Sequence, residues 1–268
     1  MCDTASVGNR MIPITSREYK VMLDHRMFAD RKQAAANLCR EIHACAKRLE
    51  DIECDGEFNE TKKRELVFLD TRDETINLNR FVFRQRTEQG RTEYTLKCRS
   101  PDRYVAAGAD VRSPKGMKEE KLEEDIGAPF VARFSHSNTV KGPDKAPKTL
   151  KLAAKLFPAL GELERDGESC SDELELRPVN ALKAYERVMV GPTLRFDLTE
   201  AEVALILWSN GLEGRPLVAE FSFRYKHKRE DYGTKAVRLA MKFFDELQRL
   251  DWCVPEGRTK TQYAYRTG

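Results

Sequence analysis

The sequence predicts an α+β fold of about seven to ten strands and three helices. Three observations carry this. The stretch 78–99 holds two alternating segments around a polar turn containing Gly90. Two long stretches, near 29–51 and 234–250, space their apolar residues by three, four or seven, the period of an amphipathic helix. No repeat at a period of about 20–50 residues marks a solenoid or propeller.

The elements follow in order. Residues 12–24 form a first strand, with Glu18 and Lys20 on one parity and Tyr19, Val21 and Leu23 on the other. Helix 29–51 buries Phe28, Ala35, Leu38, Ile42, Cys45 and Leu49 and solvates a face carrying Arg31, Lys32, Arg40, Lys47 and Arg48. Residues 52–64 are polar and loop-like, and 65–70 are a strand. In the hairpin, Arg80, Arg84 and Arg86 share one parity against Phe81 and Phe83. Thr95, Lys97 and Arg99 oppose Tyr94, Leu96 and Cys98. A strand has a side-chain period of two, so this hairpin has one apolar and one cationic face. Like charges so close together call for an anionic partner.

Residues 102–117 read as a connection. Acidic 118–126 places Lys121, Glu123 and Asp125 at period two, and 130–140 is mixed. A linker-like turn at 141–148 precedes a short helix at 149–157 that Pro158 stops. After a polar loop at 161–172, strands are expected at 174–177, 183–190, 193–198, 201–209 and 217–225. Asn210-Gly211 and Glu213-Gly214 turn the last pair. The final helix points Val237, Ala240, Met241, Phe244, Leu247 and Leu250 inward, and a basic tail over 252–268 closes the chain.

Composition narrows the function. The 268 residues carry 47 Lys and Arg against 44 Asp and Glu, a net charge of +3. That is too mild for a general nucleic-acid binder, so any anion site is local. Mean hydropathy is −0.62, and no apolar run is long enough to span a membrane. Residues 1–11 lack a secretory apolar core and read as a disordered leader. The seven cysteines form no C-x-x-C pair, which fits reduced thiols in a cytoplasmic protein. His25, His43, His136 and His227 have no metal-ligand spacing. Nucleotide-binding glycine loops and a nucleophile elbow are absent. Nothing in the sequence specifies an oligomeric state.

Lys20, Arg84, Arg86, Lys97, Arg99 and Arg187 lie on predicted strands, as do Glu18, Glu123, Asp125 and Glu220. In a closed barrel, one parity of every strand faces the lumen. A lumen lined by both signs of charge holds water, ions and a charged ligand. Carboxylates are hard ligands for Mg²⁺ or Mn²⁺, and guanidinium groups grip phosphate oxygens. Together they suit metal-assisted phosphoryl hydrolysis.

These residues resemble the CYTH / triphosphate tunnel metalloenzyme superfamily. Ser16-Arg17-Glu18-Tyr19-Lys20 is similar to its Glu-x-Glu-x-Lys signature, and Phe68-Leu69-Asp70-Thr71 to its apolar-aromatic-x-Asp-Thr strand end. Phe83-Arg84-Gln85-Arg86 matches Leu-Arg-x-Arg, Thr95-Leu96-Lys97 matches Thr-Leu-Lys, and Lys121-Leu122-Glu123-Glu124-Asp125 matches Arg/Lys-x-Glu-x-Glu/Asp. Arg187 and Ala219-Glu220-Phe221-Ser222 complete the order over about residues 14–226.

The resemblance implies a closed antiparallel eight-stranded β-barrel with flanking helices, one tunnel domain over 12–268. It implies a triphosphatase using Mg²⁺ or Mn²⁺. Glu18, Glu123, Asp125 and Glu220 would hold metal, and Arg84, Arg86, Lys97 and Arg187 phosphate. Lys20, Glu123 and Glu220 would act in catalysis. The implied partner is a triphosphate or polyphosphate, inorganic or nucleoside. Ser16 and Ser222 replace expected acids, and Ala204–Trp208 is apolar where hydrolytic relatives carry them. The phosphate-holding half is therefore better kept than the metal-holding half. A protein that binds polyphosphate or nucleotide without turnover is the alternative.

Overall fold

The alternating stretch forms the hairpin its pattern requires. A computed structural model describes residues 12–116, 119–254 and 256–266. In chain order these contain β1 (Ile14–Leu23), α1 (Arg31–Lys47), β2 (Ile52–Asp55), β3 (Asn59–Asp70), α2 (Thr75–Leu78), β4 (Phe81–Glu88) and β5 (Arg91–Ser100). Then come α3 (Arg103–Gly108), β6 (Glu119–Gly127), β7 (Val131–Lys141), α4 (Leu150–Ala154), β8 (Glu164–Arg165) and β9 (Glu168–Ser169). Last are β10 (Arg177–Val190), β11 (Thr193–Phe196), β12 (Thr199–Ser209), β13 (Pro216–Lys226), α5 (Thr234–Leu247) and α6 (Lys260–Tyr265). The leader expected at 1–11 lies outside the described residues. Gln89 (φ 49°) and Gly90 (φ 73°) turn β4 into β5 with both residues left-handed. This turn matches the twist of paired strands, and Gly90 adopts it without a Cβ clash.

The strands run β10-β3-β4-β5-β7-β6-β1-β13-β12, and β12 pairs back onto β10 to close the ring. β11 and β2 extend outward from β12. The closed barrel is as expected, but it has nine strands rather than eight. An odd ring cannot alternate direction throughout, and the one parallel pair is β1 with β6. The extra strand includes 131–141, whose mixed residues hid its alternation.

Outside the barrel, apolar strand residues are covered on two sides. Tyr19, Val203, Phe221 and Phe223 pack under Leu38, Ile42 and Cys45 of α1 and Phe243 and Phe244 of α5. Tyr19 stacks on Phe223 at 4.7 Å between ring centres. Phe83, Tyr94 and Leu96 pack under Leu150, Phe157 and Leu160. Each such side chain contributes about 1.5–3 kcal/mol by leaving water. With the apolar parity held outside by helices, the charged parity turns into the lumen.

Helix α1 starts at Asp30, whose carboxylate accepts from the Gln33 backbone N–H at 3.0 Å. On α5 the buried stripe is Ala236, Leu239, Ala240, Phe243, Phe244 and Leu247, whereas Met241 is 40 % exposed. The barrel wall is broad enough to take Leu239 and Phe243, which shifts the face away from Met241. The two expected loops at 52–64 and 161–172 contain β2 with the start of β3, and β8 with β9, and the basic tail contains α6. No helix among the described residues is long and apolar enough to cross a membrane.

Candidate functional site

The register fixes which side chains meet inside the barrel. Glu18 lies opposite Asp125 and Ser16 opposite Glu123 across β1 and β6. Lys20 lies opposite Ser222, and Glu18 opposite Arg224, across β1 and β13. Arg84 pairs across to Thr95, and Lys97 and Arg99 to Ser137 and Ser135. The side chains of Lys20 (22 % exposed), Lys97 (18 %) and Arg99 (32 %) retain access to water although they sit within the barrel wall.

One side of the lumen is a web of ion pairs. Lys20 Nζ lies 2.7 Å from Asp125 and 3.0 Å from Glu18. Lys97 Nζ is 3.4 Å from Asp125 and 3.6 Å from Glu123. Arg99 approaches Asp125 at 3.8 Å, and Lys121 approaches Glu123 at 3.6 Å. Burial opposes ionisation of Glu18, but the Lys20 ammonium outweighs it and holds the carboxyl at about 2. Burial likewise opposes ionisation of Asp125, and Lys20, Lys97 and Arg99 hold it well below the usual carboxylate range. Burial lowers Lys97 to about 8, with Arg99 adding to the effect and Asp125 opposing it.

The opposite side is short of carboxylates. Arg64 pairs with Glu186, which also accepts from Trp208 Nε1 at 2.8 Å. Arg84 and Arg86 sit beside that pair. Among the described residues neither has a carboxylate within ion-pairing distance, and the Nε of each is buried with no hydrogen-bond partner. Burial depresses both guanidinium groups, and Arg84, next to Arg86, falls furthest. A buried cation without a counterion is costly. A bound anion would relieve that cost.

The structure thus gathers Glu18, Lys20, Arg84, Arg86, Lys97, Glu123, Asp125 and Glu220 along one lumen and corrects one candidate. Arg187 is on the outer parity of β10, where it pairs with Glu60 at 2.8 Å and Glu213 at 2.7 Å. Its neighbour Glu186 faces inward. Arg80 lies outside β4, exposed, with φ 65°. Neither Glu124 nor Asp70 replaces the missing acids. Glu124 pairs with Arg17. Asp70 accepts backbone N–H bonds from Thr71 at 2.7 Å, Ile76 at 2.8 Å and Asn77 at 3.0 Å. Arg64, Glu186, Arg224 and Lys260 join the site without belonging to any of the sequence motifs. Period two marks the first three, but Lys260, 2.8 Å from Glu220, belongs to a segment too short to show a period.

As arranged, the carboxylates do not fit a divalent cation. Such an ion needs several unpaired oxygens converging on one point. Here Lys20 separates Glu18 from Asp125, and Glu220 is paired with Lys260. Among the described residues no group of three acids, histidines or cysteines is placed to hold a metal.

No family model and no curated protein matches the chain. Solved structures do. A Bacillus halodurans protein, provisionally described as an adenylate cyclase, is 14 % identical with a TM-score of 0.43, covering 94 % of this chain and 97 % of its own. A Hippeastrum protein, provisionally an adenylyl cyclase and reported to show a dominant triphosphatase activity, is 10 % identical with a TM-score of 0.44, covering 95 % and 96 %. A Vibrio parahaemolyticus protein, also provisionally an adenylate cyclase, is 13 % identical with a TM-score of 0.36, covering 93 % and 97 %. Likenesses this loose say nothing of activity. What the structure bears out is the closed barrel that the resemblance implies, with the charged motif residues from Glu18 to Glu220 along its interior apart from Arg187.

Proposed function

We propose that the lumen binds a compact polyphosphate, of the inorganic or nucleoside triphosphate class, and does so without metal. The observation that carries this reading is the Arg84–Arg86 pair inside the barrel: among the described residues neither guanidinium makes an ion pair, and the Nε of each is buried without a hydrogen-bond partner. A triphosphate would supply the missing negative charge, with both guanidinium groups donating to its oxygens and Lys97 adding charge from the next strand. Lys20 would hold the acidic half apart from the ligand by keeping Glu18 and Asp125 neutralised. One tunnel domain over 12–268, in a reducing cytoplasm that suits the unpaired thiols of the described residues, completes the reading.

Calorimetry with inorganic triphosphate in chelator tests it. Binding that persists without metal and is lost in Arg84→Ala supports the reading, and absence of binding in both metal-free and Mg²⁺ buffer overturns it. A second reading, triphosphate hydrolysis with Mg²⁺ or Mn²⁺, is favoured by Glu18, Glu123 and Asp125 lying together on β1 and β6. It requires phosphate release that Glu123→Ala abolishes without loss of fold. No release with either metal would exclude it.

A further inference from the structure

One lumen carboxylate is held differently from its neighbours. Glu18, Asp125 and Glu220 each have an ammonium group close by, at 3.0, 2.7 and 2.8 Å. Glu123 is 5 % exposed, yet among the described residues its cations stand off. Lys97 and Lys121 lie at 3.6 Å and Arg224 at 3.9 Å. The register sets this spacing. Lys97, Ser137 and Lys121 form one row across β5, β7 and β6. Ser16 lies opposite Glu123 on β1, and Arg224 enters from β13. Glu123 offers two oxygens to three cations, Oε1 toward Lys121 and Arg224 and Oε2 toward Lys97. Two more polar atoms there are unspent. Ser16 Oγ and Arg224 Nε are buried without a hydrogen-bond partner among the described residues, although Arg224 Nη2 reaches Glu202 at 2.6 Å. Buried donors left unmade are costly.

From this arrangement we infer that Glu123 is an internal stand-in for phosphate. It fills a second phosphate subsite made by Lys97, Lys121 and Arg224, with Ser16 Oγ as a further donor, and a phosphoryl group of the ligand displaces it. The inference rests on the proposed polyphosphate reading and adds a contact beyond Arg84 and Arg86. A phosphoryl group is larger than a carboxylate and presents three terminal oxygens, so it meets three separated cations at hydrogen-bonding distance. Glu123 is then a charge that competes with the ligand rather than one that recruits a metal. Ser16 fits the same role. An acid there would set a second negative charge beside Glu123, whereas a hydroxyl donates to phosphate.

The test is calorimetry of the full-length protein with inorganic triphosphate in chelator. Glu123→Gln should bind about tenfold more tightly than the unaltered protein. Glu18→Gln makes the same charge change at a carboxylate already paired at 3.0 Å, and should gain far less. Adding Arg224→Gln to Glu123→Gln should remove most of the gain. Should Glu123→Gln fail to fold, Lys121→Ala alone is expected to weaken triphosphate about tenfold, and unchanged affinity there overturns the inference. If triphosphate binds but Glu123→Gln binds no better, or gains only as much as Glu18→Gln, the inference fails and the polyphosphate reading stands. Binding that needs Mg²⁺ and is lost in Glu123→Gln makes Glu123 a metal ligand and also overturns it. If triphosphate does not bind with or without Mg²⁺, both fail.

Discussion

Arg84 sets function against stability in a single side chain. Its guanidinium is buried beside Arg86 and, among the described residues, makes no ion pair of its own. Replacing it with an apolar residue of similar reach removes an uncompensated charge. Arg84→Met is therefore expected to raise the melting temperature of the ligand-free protein, by about 1 kcal/mol or more in stability. The same change removes charge-assisted hydrogen bonds to phosphate and should weaken triphosphate binding by about 1.5–3 kcal/mol, roughly 10- to 150-fold. Thermal melts and calorimetry on one preparation read both effects, and a variant that loses stability contradicts the assignment. Lys97 gives the site its pH dependence. Its folded value near 8 lies below the ordinary 10.5. The ammonium is therefore lost as pH rises through about 8, and triphosphate affinity should fall there. Lys97→Arg keeps its charge across that range and should flatten the dependence, leaving only the titration of the ligand.

At the scale of elements, two segments decide the lumen's chemistry. β10 breaks register between Pro178 and Lys183, where Asn180 (φ 51°) and Ala181 (φ 53°) are left-handed. The irregularity sets the parity of the rest of the strand, placing Glu186 inside and Arg187 outside. α6 packs against the inner apolar residues Phe68, Val82, Trp208 and Val218. The capping box at its start, Thr259 with Gln262, and the Tyr265–Asp70 bond at its end hold only a few residues of helix. Tyr265→Phe removes that bond but leaves Asp70 its backbone donors. We expect a loss of about 1 kcal/mol, with faster amide exchange confined to 256–266. Exchange spread evenly over the barrel would show that α6 is not separately held.

For the whole molecule, a net charge of only +3 conceals an interior where one side pairs its charges and the other sets Arg84 and Arg86 beside a single Arg64–Glu186 pair. The acidic side makes the fold acid-labile. Glu18 titrates near 2 when folded against an ordinary 4.5. Its contribution is fully present above about 4.5 and is lost as pH falls from there through about 2. Protonation leaves Lys20 with Asp125 alone, a carboxylate that Lys97 and Arg99 also share. Glu18→Gln should therefore lower stability at neutral pH and flatten its decline below pH 4.5, which urea titrations across pH measure. Triphosphate should act in the other direction. At a hundredfold excess over its dissociation constant it should add about 2.7 kcal/mol to unfolding, seen as a shift in melting temperature that Arg84→Ala removes.

The sequence by itself determined the strands that alternate, the two amphipathic helices and the charged parity of the hairpin. Side-chain period is a local property, so Phe83, Arg84, Tyr94 and Lys97 announce their faces without any partner. Only the tertiary structure decided whether a charged face meets bulk solvent or a lumen, because that depends on which side the helices cover. It also decided Arg187. Residues 183–190 mix charged and apolar groups on both parities, and a bulge several residues upstream sets their direction. The placement of α6 was beyond reach for the same reason. Lys260, Ala264 and Tyr265 lie in a helix too short for a period, and they matter through contacts with strands far away in the chain. The cationic face was thus local information, whereas its enclosure within the barrel is a consequence of packing.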